Sequence, residues 1–147
     1  GQELWGLPAP CLSEFLRVVT HPAILKPPST IEQATAALEA LLQSSSLRLL
    51  LPGERHAPMV FDLSRKHQLT GNLVFDAQIV AVCLEHGVRE ILTNDRDFQR
   101  FDEVDAGGHS TIQLRKTAGA RATGGRGLLW VNAIGGLPPS AAARSWR

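Results

Sequence analysis

The chain has 147 residues, long enough for one domain with a real core, and 44% of them are hydrophobic, an ordinary share for a globular protein. A formal net charge of +1 gives no global electrostatic direction toward a partner. No run of about 18 apolar residues is present, which excludes a helical membrane span, and no charged-then-apolar leader opens the sequence.

Glu3–Leu7 is a short apolar patch closed by Pro8 and Pro10, and is predicted to form a strand and turn. Pro10 suits the first turn of a helix reaching about Thr20, with Leu12, Phe15, Leu16 and Val19 on one face. Lys26-Pro27-Pro28 is a loop. Ser29-Thr30-Ile31-Glu32 fits a capping box with Ser29 as the cap, opening a helix to about Gln43. Its inward residues are expected to be Ile31, Ala34, Leu38, Leu41 and Leu42. Leu47–Leu51, closed by Pro52-Gly53, reads as a buried strand, and a third helix follows over about 57–67. The fourth helix, Leu73–His86, is very apolar and stops at Gly87. Val88–Thr93 is a strand, and Asp97–Phe101 a short helix. Strands alternating with helices predict an α/β layer structure with a mainly parallel sheet. The two cysteines, Cys11 and Cys83, lie in apolar helical stretches and read as buried free thiols.

Four acids sit where acids are awkward. Glu14 lies within Leu12-Ser13-Glu14-Phe15-Leu16, Asp76 opens the apolar run Ala77–Leu84, and Asp95 and Asp97 follow a predicted buried strand. A carboxylate beside an apolar core needs a partner, and several together repel one another unless a cation lies among them. The set therefore points to a divalent-metal site and to hydrolytic or phosphoryl chemistry. Simpler roles stay open for each acid. Glu14 can pair with Arg17 along the helix, Asp76 can favour its helix dipole, and Asp95 or Asp97 can cap the next turn. The histidines do not form a zinc pattern.

Three stretches resemble motifs of one family. Cys11-Leu12-Ser13-Glu14-Phe15-Leu16-Arg17-Val18 resembles the second motif of PIN-domain ribonucleases, closest to the VapC toxins of toxin–antitoxin pairs. Gly71-Asn72-Leu73-Val74-Phe75-Asp76-Ala77 is similar to the third, and Thr93-Asn94-Asp95-Arg96-Asp97-Phe98 to the fourth. The order and spacing agree. The resemblance implies a three-layer parallel sheet flanked by helices, with an acidic pocket for Mg²⁺ or Mn²⁺ that cleaves RNA through a metal-activated water. By position Glu14, Asp76 and Asp95 are implied metal ligands, and Asp97 a further acid of the pocket. Thr93 would orient a ligand or water, Asn72 would position the helix carrying Asp76, and Arg17 would support an acid. The implied partners are an RNA substrate, a cognate antitoxin and a second copy in a homodimer, in a bacterial cytoplasm.

The same resemblance implies departures. The family's first strand and helix, with an aspartate, have no counterpart here, so residues 1–103 read as an N-terminally truncated PIN-like domain whose sheet is left with a central gap. Residues 104–127 read as a Gly- and Arg-rich insert or aberrant segment, 128–134 as a last strand, and 135–147 as a disordered tail. The charge shifts at the same point: residues 1–103 carry 9 Lys and Arg against 13 Asp and Glu, and residues 104–147 carry 6 against 1. An inactive remnant that keeps only a surface for antitoxin or self-association is the alternative. Asp95-Arg96-Asp97 after a strand also imitates the nucleophile motif of haloacid-dehalogenase-like phosphatases, but that motif lies near a domain start and is followed by Thr or Val, not Phe98.

Overall fold

The structure, a computed structural model, describes residues 4–107 and the backbone of residues 128–131. The expectations for residues 108–127, 132–134 and the tail 135–147 lie outside the described residues. The elements run β1 (Trp5–Pro8), α1 (Pro10–Val19), α2 (Ile31–Leu42), β2 (Leu47–Leu50), α3 (His56–Lys66), α4 (Leu73–Glu85), β3 (Glu90–Thr93), a 3₁₀ turn (Arg96–Arg100), β4 (Asp105–Gly107) and β5 (Leu128–Val131). The five strands form one sheet in the order β2-β1-β5-β3-β4, and every pairing is parallel. The expected parallel α/β architecture is therefore present.

Strand β5 is the last in the chain and the middle one in the sheet. It pairs along all four residues with β3, but only through Trp5↔Leu128 and Gly6↔Leu129 with β1. The central gap expected from the sequence is thus occupied, and by a segment read there as a last strand. Beyond Gly6 the two neighbours part, so the sheet opens at the carboxyl end of β1.

Local sequence explains most element ends. Pro10 opens α1 at its first turn. At the other end the Thr20 hydroxyl donates to the Leu16 carbonyl at 2.7 Å. The capping box of α2 is one residue later than the sequence suggests: Thr30 Oγ1 accepts from the Gln33 amide at 3.2 Å, and Gln33 Oε1 accepts from the Thr30 amide at 2.9 Å. Gln33 satisfies the same rule as Glu32, so the sequence alone fits both registers. Helix α4 ends in a Schellman motif, with Val88 N–H donating to Cys83 O and Gly87 N–H to Leu84 O, and Gly87 at φ +70°.

Two burial expectations are corrected. Ala34 is the buried residue of α2, whereas Ile31 is 51% and Leu42 39% exposed. The helix packs mainly on α1 and β2, which leaves part of its wide apolar face uncovered among the described residues. Strand β2 is an edge strand, so Leu49 and Leu51 are exposed rather than buried.

Helix α4 is the centre of the core. Ala77, Ile79, Val80, Ala81, Val82 and Cys83 are all buried, and the helix packs against α1, α3, β1 and the 3₁₀ turn. An apolar helix buried on nearly every side has little freedom to rotate. Its last turn also fixes α3. Glu85, almost fully buried, accepts hydrogen bonds from the amides of Gly53 at 2.9 Å and Arg55 at 3.0 Å, and His86 Nε2 lies 2.9 Å from the Leu51 carbonyl oxygen. Arg55 offers no side-chain cap of its own, so a carboxylate from a neighbouring helix caps α3 and meets its positive end. Glu85→Ala is expected to cost about 2 kcal/mol, because two amides lose a charged acceptor. Urea unfolding measures this, and an unchanged midpoint would contradict the cross-helix cap.

Candidate active site

In an open parallel sheet, ligands bind beyond the carboxyl ends of the strands, where the chain turns to opposite sides. Here β1 leads outward to β2, and β3 leads the other way to β4. The two acids that follow these strands are Glu14, in the second turn of α1, and Asp95, two residues beyond β3. Helix α4 runs back against the strands, so its first turn, with Asp76, comes to the same end.

Asp76 reports that these acids are neighbours. Its carboxyl is pushed up to about 6, first by burial and then by the charges of Asp95, Asp97 and Glu14, while Arg100 pulls the other way. Three carboxylates, from two other parts of the chain, therefore act on Asp76. The four sequence-predicted acids are thus near enough to interact electrostatically at Asp76. Among the described residues, the set of three or more ligand atoms within 4.8 Å of one another is His67, Asp102 and Glu103, not these acids.

Each acid is held differently. Asp95 Oδ1 accepts the Asp97 amide at 2.9 Å and so caps the 3₁₀ turn. Buried Thr93 accepts the Asp95 amide through Oγ1 at 3.0 Å, which fixes the backbone that presents that acid. Asp97 pairs with Arg100, whose Nη2 lies 3.2 Å from Oδ1 and whose Nε donates to the Asp97 carbonyl at 3.1 Å. Arg17 grips Glu14 with two nitrogens, Nε to Oε2 at 3.0 Å and Nη2 to Oε1. Asn72 occupies the cap position of α4, yet its side chain is exposed and makes no cap hydrogen bond. Its contribution is confined to backbone, through Phe75 N–H donating to its carbonyl at 3.0 Å.

Sequence reasoning did not single out Arg100. The signal was available, since Asp97 and Arg100 have the same three-residue spacing as Glu14 and Arg17.

The donor set consists of carboxylate oxygens, the chemistry that hard divalent cations such as Mg²⁺ and Mn²⁺ select. Two nearby features differ in character. A cavity of about 590 Å³ shares Thr93 and Asp95 with the acids, is walled by Asn94, Arg96, Gln99 and β4, and excludes Glu14, Asp76 and Asp97. At His67, Asp102 and Glu103, Lys66 Nζ already donates to both carboxylates at 2.6 and 2.9 Å. That cluster is an ion-pair knot tying α3 to the segment after the 3₁₀ turn.

The thiols stand apart from this chemistry. Cys11 is pushed up to about 12 and Cys83 is also raised, both mainly by burial, and both are free. Among the described residues no helix is long and apolar enough to cross a membrane.

The family model of the PIN domain matches residues 1–104, nearly all of the described part of the chain before β5. The chain belongs to the PIN-domain family, among its VapC-type members. It is 36% identical over 96 residues to Ribonuclease VapC43 of Mycobacterium tuberculosis, covering 65% of each chain. Ribonuclease VapC48 of the same organism is 33% identical over 90 residues, 61% of this chain and 62% of the relative. Ribonuclease VapC33 is 32% identical over 99 residues, 67% and 68%. The chain thus spans about two thirds, 65%, of the length of VapC43.

The raised Asp76 has a consequence for stability. In the unfolded chain this carboxyl titrates near its ordinary 3.8, in the folded chain near 6. Between those values the folded state binds more protons, so stability falls as pH rises through the window and is lowest above it. Asp76→Asn removes the repelled charge. Without divalent cations, the variant is expected to be more stable than the parent by about 1 kcal/mol at pH 7, after allowing for solvent screening, with the gain vanishing by about pH 4. Thermal melts at the two pH values test this, and a variant less stable at pH 7 would contradict it.

Proposed function

We propose that this protein is a metal-dependent endoribonuclease, the toxin of a bacterial toxin–antitoxin pair, acting on RNA phosphodiesters in the cytoplasm. The observation that carries the reading is the convergence of Glu14, Asp95 and Asp97 on half-buried Asp76 at the switch point of the sheet. The names of the relatives, ribonucleases of the VapC series, support the reaction class.

Glu14, Asp76, Asp95 and Asp97 would hold the cation, Mg²⁺ or Mn²⁺. When bound, such an ion supplies an acidified water and positive charge for phosphodiester hydrolysis. The protein's own part is to hold the geometry. Burial of α4 fixes Asp76, and the Thr93 hydroxyl fixes the turn that presents Asp95. Asp95 uses Oδ1 on the Asp97 amide and keeps Oδ2 for a ligand. Glu14 rides on α1, whose start is set by Pro10 and by the Ala9 amide donating to Leu50 O at 2.9 Å. Preorganised charge of this kind costs no rearrangement at the moment of reaction.

A second reading is a chain that keeps a binding surface for antitoxin or another copy, but not the chemistry. It is favoured by the absence of these acids from the close-packed ligand sets among the described residues and by the exposed apolar residues Ile24, Leu25, Ile31 and Leu42 on and before α2.

The full chain is expected to cleave single-stranded RNA with Mg²⁺ or Mn²⁺ and to lose cleavage in EDTA. Asp95→Asn should lower the rate at least about 100-fold. Gel analysis of end-labelled RNA checks both. Binding of antitoxin without any cleavage, or cleavage that survives Asp95→Asn, would overturn the enzyme reading.

A further inference from the structure

Two of the four acids already have cationic partners, and the pattern is the same on two unrelated elements. On α1, Arg17 lies three residues after Glu14 and holds both of its carboxylate oxygens. On the 3₁₀ turn, Arg100 lies three residues after Asp97 and holds one carboxylate oxygen and the main-chain carbonyl. Among the described residues, Asp76 and Asp95 have no arginine hydrogen bond. Of the two arginine-held acids, the Asp97 side chain is 54% and the Glu14 side chain 32% exposed, and Arg17 itself is 56% exposed. Arg100 also reaches inward, since its charge acts on Asp76.

A carboxylate that turns to a divalent cation gives up much of its attraction for a guanidinium. Exposed pairs three residues apart are weak, worth about five-fold or less in an equilibrium, so the exchange needs little driving. A released guanidinium remains a planar fork of donors at the edge of the site, and that fork matches two oxygens of a phosphodiester.

We propose that Arg17 and Arg100 are exchange residues: they mask Glu14 and Asp97 in the ion-free protein, and take the phosphates flanking the scissile bond once the acids hold the cation. The inference rests on the RNA-hydrolase reading and adds substrate contacts to it. It makes cation binding and RNA binding mutually reinforcing, because each removes a competitor of the other.

The test is filter binding of single-stranded RNA to the full chain, once in EDTA and once in Ca²⁺, with the RNA checked for integrity after each titration. Variants are Arg17→Gln, Arg100→Gln and the charge-keeping Arg17→Lys and Arg100→Lys. Arg65→Gln is the control, since Arg65 forms the same three-residue pair with Asp62 on α3, outside the acid set. In Ca²⁺ each Gln variant should bind about ten-fold more weakly and reduce the salt slope by about 0.7, the Lys variants falling between. In EDTA the loss should stay under about two-fold, because there the arginines are held by their acids. The control should match the parent in both buffers. Equal losses in EDTA and Ca²⁺, or none in Ca²⁺, would overturn the exchange while leaving the hydrolase reading standing. A parent chain that binds neither Ca²⁺ nor RNA would overturn both.

Discussion

The site depends on one constraint, the burial of α4. Six of its residues are fully or almost fully out of water on several faces at once, so the helix is wedged between α1, α3, β1 and the 3₁₀ turn. A helix so placed cannot turn its first-turn aspartate toward solvent without disturbing the whole core. Asp76 is thereby kept half-buried beside three other carboxylates, against its own electrostatic preference. The core supplies the free energy that holds like charges together, and in the proposed reading a divalent cation would relieve that repulsion.

The sheet then decides where the acids meet. Parallel strands send the chain away from their carboxyl ends, and the two directions of travel separate β1 from β3. The strand between them, Leu128–Val131, comes from the far end of the sequence and follows β1 for only two residues. The ladder between β1 and β5 therefore runs only along the amino-terminal half of β1, while Glu14 and Asp95 follow β1 and β3 in sequence. A local order of strand, turn and acid becomes a shared site through topology.

Much of this was legible in the sequence, and the failures have physical causes. The boundaries of α1 and α4 followed from Pro10 and Gly87, residues whose backbone restrictions act locally. The four acids stood out because each interrupts an apolar stretch. The α2 cap slipped by one residue because Ser29 and Thr30, and Glu32 and Gln33, satisfy the same hydrogen-bond rule. The burial of α2 and β2 was overestimated because periodicity shows which face is apolar, not whether anything covers it. The central place of β5 was not readable, since strand order depends on long-range pairing that no local pattern encodes. Arg100 escaped notice because its role depends on the fold bringing it near Asp76, although its spacing to Asp97 was in plain view.

The most direct test of this account is a ¹³C NMR titration of the Asp76 carboxyl in the full chain, without divalent cation and with Mg²⁺. The account predicts a midpoint near 6 in the ion-free protein and a clear fall when Mg²⁺ is added, as the cation offsets the charges of Glu14, Asp95 and Asp97. A midpoint near 3.8 that Mg²⁺ does not move would show that the acids do not act together, and would contradict the account.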